Sequence, residues 1–104
     1  MTVFFDQQYL ADLYQTGDGG KKHRFQLHIV KKYIQIIDLM KALEDVSGLL
    51  RYKSLRYEQL KGDKIGISSV RINDQYRIEF VEEREADKIF TTICTITELS
   101  NHYK

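Results

Sequence analysis

The chain has 104 residues, of which 42% are hydrophobic and 30% are charged, so we expect residues 1–104 to form one domain around a single core. The single cysteine, Cys94, excludes an internal disulfide, and we expect neither a leader nor a membrane-spanning segment, because the sequence has no long apolar run. The formal net charge of +1 excludes a uniformly basic nucleic-acid binder. We therefore expect a cytoplasmic protein that makes no contact with a membrane.

The first half of the chain is predicted to be mainly helical. Residues 2–5 are apolar and β-prone, and Asp6 can then cap a short helix on which apolar and aromatic residues recur at helical spacing. A long amphipathic helix is predicted over residues 24–43, followed by one further turn over residues 44–50. The stripe that should face the core consists of Leu27, Val30, Tyr33, Ile34, Ile37, Met40 and Leu43.

The long helix belongs to a basic part of the chain. Residues 21–64 carry eleven Lys or Arg against five Asp or Glu, whereas residues 1–20 carry three acids and no base. Such a block can attract a polyanion locally, since salt confines each charged patch to about 10 Å. A solvated basic helix is the other interpretation of the same count. His23 and His28 lie in this block and are interpreted as surface or core histidines.

The second half of the chain is predicted to form strands. The strand candidates, none of which is interrupted by proline, are residues 57–60, 66–72, 76–81 and 88–99. Helices followed by hairpins predict an α+β fold, with two N-terminal helices on a mostly antiparallel sheet. The acidic segment 82–87 is interpreted as an exposed hairpin tip that aids solubility, and Cys94 as a small buried hydrophobe.

The alternation of residues 67–81 fixes the register of one hairpin. The apolar side chains Val70 and Ile72 must share a face with Tyr76 and Ile78, and opposed residues of an antiparallel pair lie on the same face. Ile72 is therefore expected opposite Tyr76, and Val70 opposite Ile78. The loop between them is then the three residues Asn73-Asp74-Gln75, because a two-residue loop would scramble the faces.

This register places Arg71 directly opposite Arg77 on the other face of the hairpin. Like charges in this position cost stability, so either an acid or a bound anion should neutralise them. Glu79 lies on the same face and can pair with one arginine, which is the structural interpretation. The functional interpretation is a phosphate clamp, since the planar guanidinium binds two phosphate oxygens at once and stays charged. Lys61 could add a further charge to the same patch.

The last residues contain the best acid or base candidate. His102 is this candidate, because histidine as a residue type can exchange a proton near neutral pH, as RNA cleavage requires, although a histidine on a frayed tail is the other interpretation. The sequence contains no phosphate-binding glycine loop, no Cys or His pair at zinc-ligand spacing and no Gly-x-Ser-x-Gly motif. We therefore expect neither a metal nor a nucleotide cofactor.

Three segments together resemble a known family of toxins. These are Tyr57-Glu58-Gln59-Leu60-Lys61-Gly62-Asp63, the stretch from Ile67 to Ile78 around the two arginines, and the terminal Asn101-His102-Tyr103. They resemble the HigB branch of the RelE/ParE toxin superfamily, with the arginine stretch as the most specific part. The resemblance implies two N-terminal helices on a curved antiparallel sheet.

The resemblance also implies an activity: a ribosome-dependent endonuclease for messenger RNA, which uses the 2′-hydroxyl of the substrate as the nucleophile and needs no metal. Lys61, Arg71 and Arg77 match family positions that bind and stabilise the phosphate. His102 and Tyr103 resemble the terminal region that supplies an acid or base and a base-stacking aromatic ring.

Two positions depart from the family pattern, and both are expected to contact the RNA. Family members often carry His where this chain has Glu58, so Glu58 is either a substitute base or the partner of Lys61. The tail that contains Asn101 is longer than usual, which leaves the alignment of His102 open. The resemblance further implies a partner, an antitoxin of the HigA type with a helix-turn-helix fold.

Two other functions fit the same fold. A toxin of the ParE type would poison gyrase and would not need Arg71, Arg77 and His102 as a chemical set. A catalytically inactive module, in which Glu58 and the altered tail mark a decayed site, would only bind its antitoxin. Mutation of the arginines, with folding retained, distinguishes the nuclease from both.

Overall fold

The structure, a computed structural model, describes residues 1–101. Two α-helices, α1 (Gln8–Thr16) and α2 (Leu27–Ala42), pack on a five-stranded sheet, so the predicted α+β fold is confirmed. The strands are β1 (Thr2–Phe5), β2 (Glu58–Gln59), β3 (Ser68–Arg71), β4 (Tyr76–Glu83) and β5 (Ile93–Asn101). Three 3-10 helices connect them: Val46–Arg51, Lys53–Leu55 and Gly62–Lys64.

The sheet has the order β1-β5-β4-β3-β2 and is mostly antiparallel, as predicted. Only β1 runs parallel to its neighbour, the last strand β5, with Thr2 opposite Ile93. The other three pairs are antiparallel. The first and last strands of the described chain are therefore neighbours, a pairing that local sequence patterns do not reveal.

The helices cover one face of the sheet. Both helices begin differently from the prediction: Gln7 rather than Asp6 precedes α1, without a side-chain cap, and α2 begins at Leu27 rather than near residue 24. Leu27 is 68% exposed, because it lies in the first turn of α2 beyond the edge of the core, so its assignment to the core stripe was wrong. α1 ends at Gly17, whose φ of 79° is the left-handed conformation that glycine adopts without a steric cost. The buried residues of α2 are Ile29, Val30, Tyr33, Ile36, Ile37 and Met40.

The acidic segment after β4 differs most from the prediction. Strand β4 continues to Glu83 and β5 begins only at Ile93, so the connecting loop starts later and is longer than predicted. Glu82 is half-buried and accepts hydrogen bonds from the hydroxyls of Tyr57 and Ser68, which a solvated hairpin tip would not do. The interpretation as an exposed tip was therefore wrong for Glu82, whereas residues 83–87 are exposed as predicted.

The core lies between the helices and the face of the sheet that carries Ile78 and Phe80. Cys94 is part of this core and fully buried, and burial raises the pKa of its thiol to about 12, with the charge of Glu82 as a smaller cause. The interpretation of Cys94 as a buried hydrophobe is confirmed. None of the helices formed by residues 1–101 has the length and apolar content that crossing a bilayer requires.

Candidate functional site

The hairpin formed by β3 and β4 has the register that the sequence predicts. Val70 lies opposite Ile78 and Arg71 opposite Arg77. The backbone N–H of Ile72 donates to the carbonyl of Tyr76 at 2.9 Å, which closes a three-residue loop. Because Ile78 belongs to the core beneath the helices, the two arginines lie on the opposite face of the sheet.

The loop holds the two arginines close together. Asn73 stabilises the loop, since its side-chain oxygen accepts the backbone N–H groups of Gln75 at 2.9 Å and Tyr76 at 2.8 Å. Hydrogen-bonded and non-hydrogen-bonded pairs alternate along an antiparallel ladder. Ile72 and Tyr76 are joined by a backbone hydrogen bond, so the next pair, Arg71 and Arg77, is of the non-hydrogen-bonded type. In pairs of this type the Cα atoms lie about 4.5 Å apart.

Each arginine has an acidic partner, but the two partners differ. Nε of Arg77 donates to Oε2 of Glu79 at 2.9 Å, and the Arg77 side chain is only 17% exposed. Arg71 pairs with Asp74, whose side chain is 91% exposed. An exposed pair contributes little, so an incoming anion can replace Asp74 at small cost. The buried carboxylate of Glu79 therefore orients Arg77, whereas Arg71 has only an exposed acidic partner.

Glu79 is the buried anion of the site. It is 3% exposed, and its two oxygens accept Nζ of Lys64 at 2.8 and 2.9 Å in addition to Nε of Arg77. Burial alone would raise the pKa of Glu79, but the hydrogen bonds and charges of Lys64 and Arg77 together outweigh it, and the pKa lies below its ordinary value. The carboxylate therefore stays ionised and fixes the guanidinium of Arg77.

Replacing Glu79 by Gln is expected to lower the free energy of unfolding by about 1 to 2 kcal/mol near neutral pH, because Lys64 and Arg77 lose their shared anion. The loss stays below that of a fully buried pair because the Lys64 side chain is 40% exposed and partly screened. Urea unfolding of the wild type and Glu79→Gln measures this difference directly.

The effect of Glu79→Gln should depend on pH in one direction. Because folding lowers the pKa of Glu79, its contribution is complete above the ordinary pKa of a glutamate and disappears as the pH falls through the lowered value. The stability gap between the two proteins should therefore close in acid, below the ordinary pKa of a glutamate. A gap of equal size at neutral and acidic pH would contradict the ionised role of Glu79.

The two arginines line a cavity of about 160 Å³ on the open face of the sheet. That volume accommodates a small anionic group, given that one liquid water takes up about 30 Å³. A third arginine, Arg56, lines the same cavity from the segment between the second 3-10 helix and β2. The lining residues are Arg56, Glu58, Ser69, Arg71, Asn73, Asp74, Tyr76 and Arg77.

Arg56 has the only positive φ, 45°, among the non-glycine residues of the described chain. The left-handed conformation costs a non-glycine residue about 1 kcal/mol, and such strain often occurs at functional sites. It arises where the 3-10 helix ends, with the backbone N–H of Arg56 donating to the carbonyl of Lys53 at 3.2 Å. The sequence does not single out Arg56: its only signal is the spacing of two residues to Glu58, and the backbone at Arg56 is left-handed rather than extended, so that spacing does not predict its place in the cavity.

The other predicted site residues are placed unequally. Glu58 lines the cavity and lies opposite Ser69, the β3 residue two positions before Arg71. Lys61 is exposed just before the third 3-10 helix and does not line the cavity. Asn101 lies opposite Tyr76 at the end of β5, so it reaches the same end of the sheet. His102 and Tyr103 lie outside the described residues. In residues 1–101 no three His, Cys, Asp or Glu side chains are grouped so that they could hold a metal ion.

Comparisons with known proteins identify relatives of the whole fold. A family model described as "RelE-like toxin of type II toxin-antitoxin system HigB" matches residues 3–91. The solved YoeB/ParE toxin from Agrobacterium tumefaciens is similar, with a TM-score of 0.56 and 20% identity over 99% of this chain and 100% of that chain. The YoeB-YefM complex from Staphylococcus aureus contains a chain similar at a TM-score of 0.58 and 20% identity, over 99% and 98% of the two chains. No curated protein sequence matches.

Proposed function

Because the chain belongs to the family of RelE-like toxins of HigB type II toxin-antitoxin systems, we propose that it is an endoribonuclease that cuts messenger RNA during translation without using a metal. The observation that carries this proposal is the convergence of Arg56, Arg71 and Arg77 on one cavity. A protein-binding toxin would not require three cations around a space of this size. Guanidinium groups are the side chains best suited to a phosphodiester.

In the proposed reaction the 2′-oxygen of one nucleotide attacks the adjacent phosphorus, and the bond from phosphorus to the 5′-oxygen of the next nucleotide breaks. The 2′-hydroxyl loses a proton and the leaving 5′-oxygen gains one, so no water is consumed. Negative charge grows on the phosphate oxygens in the transition state. Arg77, already oriented by Glu79, and Arg71, released from Asp74, are the donors we assign to that charge.

The proton transfers need a base and an acid near the cavity. Glu58 lines the cavity and is exposed, so we assign it to the deprotonation of the 2′-hydroxyl. His102 and Tyr103, which follow Asn101 in the sequence, are assigned to the leaving oxygen and to stacking on a base. Lys61 is assigned to a neighbouring phosphate as a point charge rather than to the reacting one.

We further propose that an antitoxin of the HigA type, with a helix-turn-helix fold, binds the chain and keeps it inactive in the cytoplasm. Family membership supports an antitoxin partner, and the solved relative from Staphylococcus aureus is a complex of YoeB with YefM. A nuclease that acts on translated messages would need such control in its own host. The proposed substrate is the message in the decoding site of the ribosome.

The proposal is tested by incubating the purified chain with ribosomes translating a defined message and mapping the ends of the fragments. We expect cuts only within the translated region, with a 2′,3′-cyclic phosphate on one side and a 5′-hydroxyl on the other. A message with one 2′-deoxy nucleotide at a mapped site should resist cleavage there. If the chain stops bacterial growth without cutting RNA, the gyrase-poisoning function replaces this one; if it does neither, the chain is an inactive antitoxin-binding module.

A further inference from the structure

The strongest concentration of positive charge lies outside the arginine cavity. Residues 21–32, the loop after α1 and the first turns of α2, carry five Lys or Arg, two His and no acid. The side chains of Lys21, Lys22 and Arg24 are exposed, and none of the three pairs with a carboxylate of residues 1–101. α2 has neither a side-chain cap nor an acid in its first turn, so the positive end of its helix dipole adds to the positive charge of these residues.

This loop surface, defined by Lys21, Lys22 and Arg24, borders a second cavity. The cavity has a volume of about 550 Å³ and is lined in part by Lys21, His23, Arg24 and Phe25. His23 does not point freely into solvent, because its ring stacks on Tyr9 with the centroids 3.7 Å apart and the planes at 8°. The stack fixes the loop against α1, so the cations project from a supported backbone.

An aromatic contact joins the loop surface to the arginine cavity. The ring of Phe25 meets the ring of Tyr76 edge to face, with the centroids 5.8 Å apart and the planes at 78°. Phe25 lines the second cavity, and Tyr76 lines the cavity of Arg71 and Arg77. The two cavities therefore lie at the same end of the sheet, the second cavity on the helix side and the arginine cavity on the open side, so one strand could pass around this end from one cavity to the other.

We infer that the loop surface binds the sugar-phosphate backbone of the substrate strand next to the nucleotide held in the arginine cavity. This inference rests on the proposed function and extends it. Single-stranded RNA is bound by grooves that combine cations along the backbone with aromatic rings for the bases, and this is the combination found here. A protein partner fits less well, since Leu27 is the only large apolar side chain exposed within residues 21–32.

The inference is tested by binding of the intact chain to two fluorescent RNAs with 2′-O-methyl groups, which prevent cleavage. One RNA has about 12 nucleotides and the other about four, enough for one cavity only. Relative to wild type, the triple variant Lys21→Gln/Lys22→Gln/Arg24→Gln should bind the long RNA at least about tenfold more weakly. For this variant the slope of log K against log salt concentration should be smaller by about 2, because three phosphate contacts are lost. Its binding of the short RNA should equal that of the wild type.

A matched control removes three charges at the other end of the sheet. Arg51, Arg84 and Lys88 are exposed, and the first 3-10 helix, which contains Arg51, is joined to the loop between β4 and β5 by a hydrogen bond from Val46 to Thr91. Their triple Gln variant should bind both RNAs like the wild type. An equal loss in both variants would overturn the inference, because the effect would then reflect net charge.

Two further results would also overturn the inference. The first is that the loop variant binds the long RNA as tightly as the wild type. The second is that the loop variant binds only empty ribosomes or only the antitoxin more weakly, which would assign the surface to that partner. Cleavage of a translated message is measured in a separate assay, so that failure of the proposed function can be distinguished from failure of the inference. A chain that binds RNA as expected through the loop surface but cuts no message would overturn the proposed function and leave the loop surface supported.

Discussion

Arg77→Ala should cut translated messages about 30- to 1000-fold more slowly than the wild type, a loss of about 2 to 4 kcal/mol of transition-state stabilisation. The effect is large because Arg77 is 17% exposed and faces Arg71 across the hairpin, where water screens its charge poorly. Glu79 keeps Lys64 as a partner, so the fold should be retained. Single-turnover cleavage on programmed ribosomes measures the rate, and circular dichroism checks the fold.

Two further variants serve as controls for Arg77→Ala. Arg77→Lys keeps the charge but loses the planar pair of donors, so its rate should lie between those of the wild type and Arg77→Ala. Arg84→Ala removes an exposed arginine beyond the other end of β4 and should cut like the wild type. If a folded Arg77→Ala cuts within roughly threefold of the wild type, Arg77 does not stabilise the transition state.

Phe80→Ala is expected to lower the free energy of unfolding by about 3 to 5 kcal/mol, most of the stability of a domain this small. Phe80 is fully buried, lies between Ser68 and Ile96 on its neighbouring strands and stacks 6.3 Å from the ring of Tyr57. The cavity left by the ring cannot be filled by either neighbour without moving a strand. Equilibrium unfolding in urea measures the loss.

The control for Phe80→Ala is Phe4→Ala. Phe4 lies on the edge strand β1 and is 54% exposed, so its replacement should cost less than about 1 kcal/mol. Similar losses from the two variants would mean that the packing around Phe80 is not the centre of the core. A Phe80→Ala protein of nearly unchanged stability would contradict the fold itself.

The β3–β4 hairpin is the part of the site that could be predicted from the sequence. A one-residue slip would move Val70 and Ile78 from the core to solvent, so hydrophobic alternation alone fixed Arg71 opposite Arg77. The same residues carried the resemblance to HigB-type toxins, which the match over residues 3–91 confirms. The predicted pairing of Glu79 with one arginine is also found, at Arg77.

Other features of the site depend on contacts between distant residues and could not be predicted. Lys64, rather than Lys61, reaches the site face, because the turn at Gly62 is a 3-10 helix that directs Lys64 to Glu79. Arg56 joins the cavity through a left-handed backbone conformation that its residue type does not favour. The ring contact of Phe25 with Tyr76 joins segments fifty-one positions apart in the sequence.

The sequence by itself determined the α+β class, the faces of the hairpin and the opposed arginines, because these follow from local periodicity of 3.6 and 2 residues. Only the tertiary structure decided the parallel pairing of β1 with β5, the hydrogen-bonded burial of Glu82, and the adjacency of the basic loop to the arginine cavity. These features depend on which distant segments pack together, and the free energy of that packing comes from buried area and satisfied polar groups rather than from any local pattern.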